Sequence, residues 1–147
     1  MVLSNYIELF NLLSSLYKAL VLFNETLEAE NLALQNPGKA ESIIRLVERK
    51  QTQLSELYSL ENSFRNNPLI RIRSHQIEFL VEANSIDEEQ ILGQIQSTWK
   101  LICKLTVRCK ELNMQNHALT HVRLRSTRSA LEHLRILGGL PTLATYD

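Results

Sequence analysis

The N-terminal part of the chain carries an apolar repeat that restricts it to a helical, coiled-coil-like fold. Apolar residues recur there in alternating steps of three and four until Glu30 takes the next place. The members of this N-terminal seam are Tyr6, Leu9, Leu13, Leu16, Leu20, Phe23 and Leu27. Such steps place side chains on one side of an α-helix, so the seam predicts a packed helix over residues 3–35. Phe10, Tyr17 and Val21 widen the seam, which predicts contact with two neighbouring helices.

The composition also favours a single all-α domain. The chain has 147 residues, about the size of one domain, so we expect one helical domain over 1–147. Its 4 glycines and 3 prolines are too few for a turn-rich β protein, whereas residues that lose little side-chain freedom in a helix dominate. Its 16 basic residues balance its 16 acidic residues, so no overall field attracts nucleic acid or an anionic membrane.

A second helix is predicted over residues 36–66, antiparallel to the first after a tight turn. Asn36 and Pro37 close the first helix and open the second, because asparagine caps free amides and proline fits the first helical position. Apolar residues recur along one face of this segment: Ala40, Ile43, Val47, Leu54, Leu57 and Phe64. Pro68 marks the end of the helix.

Residues 69–84 have the weakest helical pattern in the chain. Ile70 and Ile72 alternate with Arg71 and Arg73, as residues of a short strand do. Because a strand needs a partner and no second strand is evident, we predict a short helix or a loop here.

A third helix is predicted over residues 86–137, where Ser85 and Glu88 form a capping box at its start. Its seam consists of Ile91, Ile95, Thr98, Ile102, Leu105, Cys109, Leu112, Asn116 and Leu119. After Leu119 the pattern slips, and a new apolar stripe begins that is rotated by about 100° around the helix. The members of this stripe are Leu124, Thr127, Leu131 and Leu134. The end of the third helix is therefore predicted to face a different surface.

These patterns predict an all-α protein of three long amphipathic helices in an antiparallel bundle or coiled-coil-like assembly. The C-terminal end of the third helix is expected to project or be mobile. Gly138, Gly139 and Pro141 end it, which leaves a short tail over residues 138–147.

The sequence contains no pattern typical of an active site or a metal centre. His117 and His121 lie one helical turn apart, but no cysteine or carboxylate nearby completes a tetrahedral zinc site. The carboxylates fall on polar helix faces, and there is no glycine-rich phosphate loop or nucleophile elbow. We therefore predict a protein without catalytic residues, metal or cofactor.

Two features point to the cytoplasm. Cys103 and Cys109 lie about 240° apart around a helix, so they cannot form one disulfide, which fits a reducing compartment. Glu8 and Lys18 interrupt the apolar N-terminus, so we expect neither an export signal nor a membrane span.

The C-terminal third is locally basic, with Arg123, Arg125, Arg128 and Arg135. A nucleic-acid partner is one interpretation of such a patch. The region has no interleaved aromatic residues for base stacking, so attraction to the acidic first helix or to an acidic protein partner is the better interpretation.

The order of residues resembles the FlgN-type flagellar export chaperones along most of the chain. In the C-terminal third the resemblance rests on Leu112, Asn113, Asn116, Leu119, Ala130, Leu131, Leu134, Thr145, Tyr146 and Asp147. In the N-terminal half it rests on Glu25, Glu28, Glu30, Asn36, Lys50, Leu54 and Leu57. His117, where the family often has glycine, and the stretch from Leu69 to Arg73 depart from the pattern.

The resemblance implies a cytoplasmic chaperone that binds C-terminal helical segments of hook-associated proteins and presents them to the flagellar export apparatus. The client-binding residues expected on this basis are Asn113, Asn116, Leu119, Val122, Leu124, Leu131 and Leu134. Two alternatives stay open at this point. The stripe and the two asparagines can instead be ordinary packing residues, and the protein can be a helical adaptor that self-associates, for example as a homodimer.

Overall fold

The chain folds into three long α-helices and one short β-hairpin. The computed structural model describes residues 2–36, 38 and 40–138. The elements, in chain order, are α1 (Val2–Gln35), α2 (Ala40–Arg65), β1 (Ile70–Arg73), β2 (Gln76–Phe79) and α3 (Ile86–Gly138). The predicted all-α fold with three long helices is confirmed. The predicted tail lies, beyond Gly138, outside the described residues.

Helix α1 is the central helix of the bundle. Every member of the N-terminal seam is buried, and both α2 and α3 pack on α1 as its width predicted. Lys50 contacts Glu30, whereas Gln53 contacts Leu22, so α2 runs antiparallel to α1. Helix α3 instead runs parallel to α1, and the three helices form an up-down-up bundle.

By length and composition alone, α1 is apolar enough over Leu3–Gln35 to cross a membrane. The core helix of a bundle passes the same test, because it too needs a long apolar stripe. In this fold the stripe packs against two other helices.

The connection between α1 and α2 differs from the sequence prediction. Asn36 follows the end of α1 as predicted, and its Nδ2 caps that end by donating to the carbonyl oxygen of Leu32 at 2.8 Å. Gly38 adopts a φ of 89°, a left-handed conformation that favours glycine and that no continuous helix contains. Helix α2 therefore begins only at Ala40. Pro37, predicted as its first residue, lies outside the described residues.

The prediction of a short helix or loop over residues 69–84 is wrong, because the segment contains a β-hairpin. Strands β1 and β2 pair antiparallel, with Ile70 opposite Phe79 and Arg73 opposite Gln76. Ser74 and His75 form the turn with φ of 45° and 71°. Two positive φ values give a turn the twist that paired strands require. The missing partner of β1 was thus the next few residues of the chain.

An aromatic cluster holds the hairpin against the bundle. The ring of Trp99 stacks on Phe64 with centroids 5.2 Å apart, and Phe79 meets both rings edge-on. Tyr6 ties the segment after the hairpin to α1, because its hydroxyl donates to the Glu82 carbonyl oxygen at 2.9 Å and accepts from the Glu82 amide at 3.1 Å. The hairpin therefore closes one end of the core.

The start of α3 confirms the predicted cap. The Glu88 amide donates to Ser85 Oγ at 3.2 Å, and the Glu88 carboxylate accepts from the Asn84 amide at 2.6 Å. Four residues of the predicted α3 seam are buried apolar residues: Ile95, Ile102, Cys109 and Leu112.

Asn116 is the centre of a buried polar network that joins all three helices. Its Nδ2 donates to the Leu27 carbonyl oxygen at 2.9 Å and to Glu30 Oε1 at 2.8 Å. Its Oδ1 accepts from Asn31 Nδ2 at 2.9 Å. Lys50 of α2 reaches the same Glu30 oxygen at 3.2 Å. Because buried polar groups need partners, this network fixes the register of α3 on α1.

Replacing Tyr6 with phenylalanine tests the closure at the hairpin. We expect the free energy of unfolding in urea to fall by about 1–3 kcal/mol, because both backbone groups of Glu82 lose a partner while the ring stays in place. Tyr58→Phe is the matched control, since its side chain is 65% exposed. Equal losses in the two variants would contradict this role of Tyr6.

Replacing Asn116 with alanine tests the polar network. The change removes the buried hydrogen bonds that Asn116 makes to Glu30, Asn31 and the Leu27 carbonyl oxygen, so we expect the free energy of unfolding to fall by about 1–3 kcal/mol. Asn113→Ala, at an exposed position three residues earlier on the same helix, should be nearly neutral. Urea melts followed by circular dichroism measure both. A neutral Asn116→Ala would show that the network does not stabilise the fold.

Candidate functional site

Helix α3 continues well past the end of α1. Near that end, Arg123 Nη1 donates to the Ala33 carbonyl oxygen at 3.4 Å. Between Asn116 and the last described side chains of α3, no residue is fully buried. From Arg123 to Gly138 the helix runs on for about 15 residues, or about 22 Å. We call residues 124–138 the α3 arm.

The predicted apolar stripe lies on this arm and is open to solvent. Leu124 is 45% exposed, Leu131 40% and Leu134 53%. Leu124 and Leu131 are seven residues apart and Leu134 follows three later, so the three side chains share one side of the helix. Within the described part of the chain, the stripe is therefore not core of the bundle.

The structure separates the other predicted client-binding residues into three groups. Asn116 is 2% exposed and already bonded to α1, so it is a packing residue in this conformation. Asn113 is exposed and Leu119 half-buried, both just below the arm. Val122 lies nine residues from Leu131, about 180° around the helix, so it faces away from the stripe. It lines a shallow surface with Ser126 and Ser129 instead.

The arm carries positive charge beside its apolar stripe. Arg135 donates through Nε to Glu132 Oε1 at 2.9 Å, and this hydrogen bond lowers the pKa of the Glu132 carboxyl. No described acidic residue forms an ion pair with Arg125 or Arg128. Two of the arm's three arginines thus remain available to an acidic partner.

The histidine pair lies just below the arm. His117 and His121 approach with their Nε2 atoms 3.1 Å apart and their rings nearly perpendicular, both exposed to solvent. Among residues 2–36, 38 and 40–138, no group of three or more histidine, cysteine or acidic side chains comes together as metal ligands usually do. The pair therefore supplies two imidazole nitrogens as possible metal ligands, without a third ligand among the described residues.

The two cysteines have different environments. Cys103 is exposed and Cys109 is buried, and both are free thiols. Burial, with the nearby charge of Glu28, raises the pKa of the Cys109 thiol to about 11. A thiol that stays protonated is a poor nucleophile and behaves as a small apolar core residue.

Sequence reasoning missed a second exposed apolar surface, on α2. Val47 was predicted on the apolar face of the helix but is 42% exposed, and the nearby Ile44 and Tyr58 are 60% and 65% exposed. Phe64 is the one fully buried residue of this helix among the described residues. The periodicity of α2 shows which residues lie on the same side of the helix, but it does not show how much of that side a neighbouring helix covers.

Comparison with known proteins places the chain in a family. No curated protein and no solved structure matches it. A family model described as FlgN protein matches residues 1–139, nearly the whole chain. The match includes the complete bundle and the α3 arm. The chain therefore belongs to the FlgN family of flagellar export chaperones.

Proposed function

We propose that this protein is a cytoplasmic chaperone of flagellar type III export that binds C-terminal helical segments of hook-associated proteins through its α3 arm. It keeps these segments from aggregating and delivers them to the export apparatus. The role requires no catalysis, metal, nucleic acid or membrane insertion.

The observation that carries this proposal is the exposed stripe of Leu124, Leu131 and Leu134 on a helix that projects from a packed bundle. An exposed apolar stripe on a helix fits the apolar face of an amphipathic partner helix. Burial of the stripe stabilises the complex by about 25 cal/mol per Å² of apolar surface, less the cost of ordering the client.

The alternative function is a helical adaptor that self-associates through the same stripe. The two functions differ in what covers the stripe. In an adaptor the arm is buried in a homo-oligomer, whereas in a chaperone it is free until a client binds. Sedimentation of the protein without and with a client segment separates the two.

Substitutions in the stripe should affect client binding, whereas substitutions in the core should affect stability. Replacing both Leu131 and Leu134 with aspartate should weaken client binding at least about 100-fold, or about 2.7 kcal/mol, because an unpaired charge cannot enter an apolar contact. The thermal stability of the bundle should hardly change. Ile102→Ala, a buried position, should instead lower the free energy of unfolding by about 2–5 kcal/mol. Melting curves and calorimetry with a hook-associated C-terminal segment measure both effects.

A matched control uses the opposite side of the arm. Val122 and Ile136 are both exposed and lie away from the stripe, so replacing the pair with aspartate adds the same charge to the same helix. Client binding should then stay within about threefold of the original value. If the Leu131 and Leu134 variant unfolds the free protein as badly as Ile102→Ala does, the stripe is ordinary core and the proposed surface is wrong.

A further inference from the structure

The outer helices α2 and α3 leave an apolar groove between them. No Cα atom of α2 lies within 8 Å of a Cα atom of α3 among the described residues, although both helices pack on α1. Directly packed helices have axes about 8–10 Å apart, and their closest Cα atoms come nearer than that. The groove encloses about 300 Å³ above a floor formed by α1. Its walls include Leu54, Tyr58 and Phe64 on α2 and Trp99, Ile102 and Thr106 on α3.

The α2 wall continues along the helix as an unpartnered apolar row. The row has spacings of three, seven and four residues, so its members lie on one side of α2. They are Ile44, Val47, Leu54 and Tyr58. Three of the four are exposed by 42% or more. A helix lying beside α2 in the groove would cover this row.

The α3 wall continues without rotation onto the arm. Four residues define this line, at successive spacings of seven, eleven and seven residues: Thr106, Asn113, Leu124 and Leu131. Each of these steps returns to within about 20° of the same direction on a helix. The register slip after Leu119 therefore aligns Leu124 and Leu131 with the groove wall at Thr106. One partner helix can contact the groove and the stripe along a single line.

A basic row flanks this line on the side away from α1. Each member of this row follows one residue of the line by four positions, which is about 40° further around the helix. The members are Lys110, His117, Arg128 and Arg135. In the described part of the chain, Lys110 and Arg128 have no acidic partner, and Arg135 pairs with Glu132. An amphipathic helix with acidic residues along the facing edge would complement this row.

From these alignments we infer that a single amphipathic helix, acidic along the edge that faces α3, lies in the α2–α3 groove and continues along the arm. The helix occupies the position of a fourth helix in the bundle. The inference rests on the proposed function, since it specifies how the client segment lies. From Thr106 to Leu131 the line is about 25 residues, or about 38 Å, long.

Trp99 provides the readout, because it is the only tryptophan of the chain and lines the groove. The probes are two synthetic helical peptides of about 28 residues that lack tryptophan and share one leucine stripe. One carries glutamate and the other lysine along the same flank. We expect the glutamate peptide to change Trp99 fluorescence and to bind at least about tenfold tighter at low salt. The preference should shrink near 1 M salt, where the screening length is about 3 Å.

Three variants of the full chain test the groove and the row separately. Tyr58→Glu should weaken the glutamate peptide at least about tenfold, because it places an unpaired charge on the apolar α2 wall of the groove. The double variant Lys110→Glu with Arg128→Glu should reverse the preference toward the lysine peptide. The double variant Lys18→Glu with Lys100→Glu makes the same charge change at exposed positions away from the line and should keep the original preference. Melting curves check that each variant folds.

The possible outcomes separate this inference from the proposed function. If a hook-associated segment binds and depends on Leu131 and Leu134 but not on Tyr58, the proposed function stands and the groove inference is overturned. Equal affinity for both peptides also overturns it. If the free protein is a dimer that Tyr58→Glu dissociates, a second copy occupies the groove and the inference fails. If the glutamate peptide binds as expected but no hook-associated segment does, the groove is supported and the proposed function fails.

Discussion

The shared burial of α1 is the constraint on which the rest of the structure depends. Leu13 and Leu27 have no exposed surface, and the seam they belong to packs against α2 and α3 at once. A fully buried leucine contributes about 1.5–3 kcal/mol, so a seam of seven such positions is a dominant source of stability. Because α1 lies between its neighbours, α2 and α3 meet only through side chains such as Phe64 and Trp99. The groove between them is a direct result of this central position.

The end of α1 then decides what α3 can do. Up to Asn116 the α3 seam has a partner, and the polar network with Glu30 fixes the alignment. Beyond Arg123 there is no further turn of α1 to pack against. An apolar stripe that continued in the old register would have nothing to cover it. The slip instead places Leu124 and Leu131 in the same direction around α3 as Thr106, which lines the groove, so the groove and the stripe form one line.

Local periodicity predicted most of the fold, because the seams of α1 and α3 are long enough to define a helix and its buried side. It failed at the hairpin, where each strand has four residues and Ile77 and Phe79 become apolar partners only after Ser74 and His75 form the turn. Val122 was grouped with Leu131 because both are apolar, although they point in opposite directions around the helix. Asn116 could be assigned to the core only once its partners on α1 were known.

Continuity with the bundle explains why the arm can be helical before any client binds. An isolated helix of about 15 residues is marginal in water, because its first turn is costly to nucleate. The first turn of α3 forms at the cap of Ser85 and Glu88, far from the arm in sequence. The helix that starts there is packed along its seam and continues into the arm. Leu131 and Leu134 are therefore presented on an ordered surface without contributing to the core. The arm therefore adds no ordering cost of its own when a partner helix binds there.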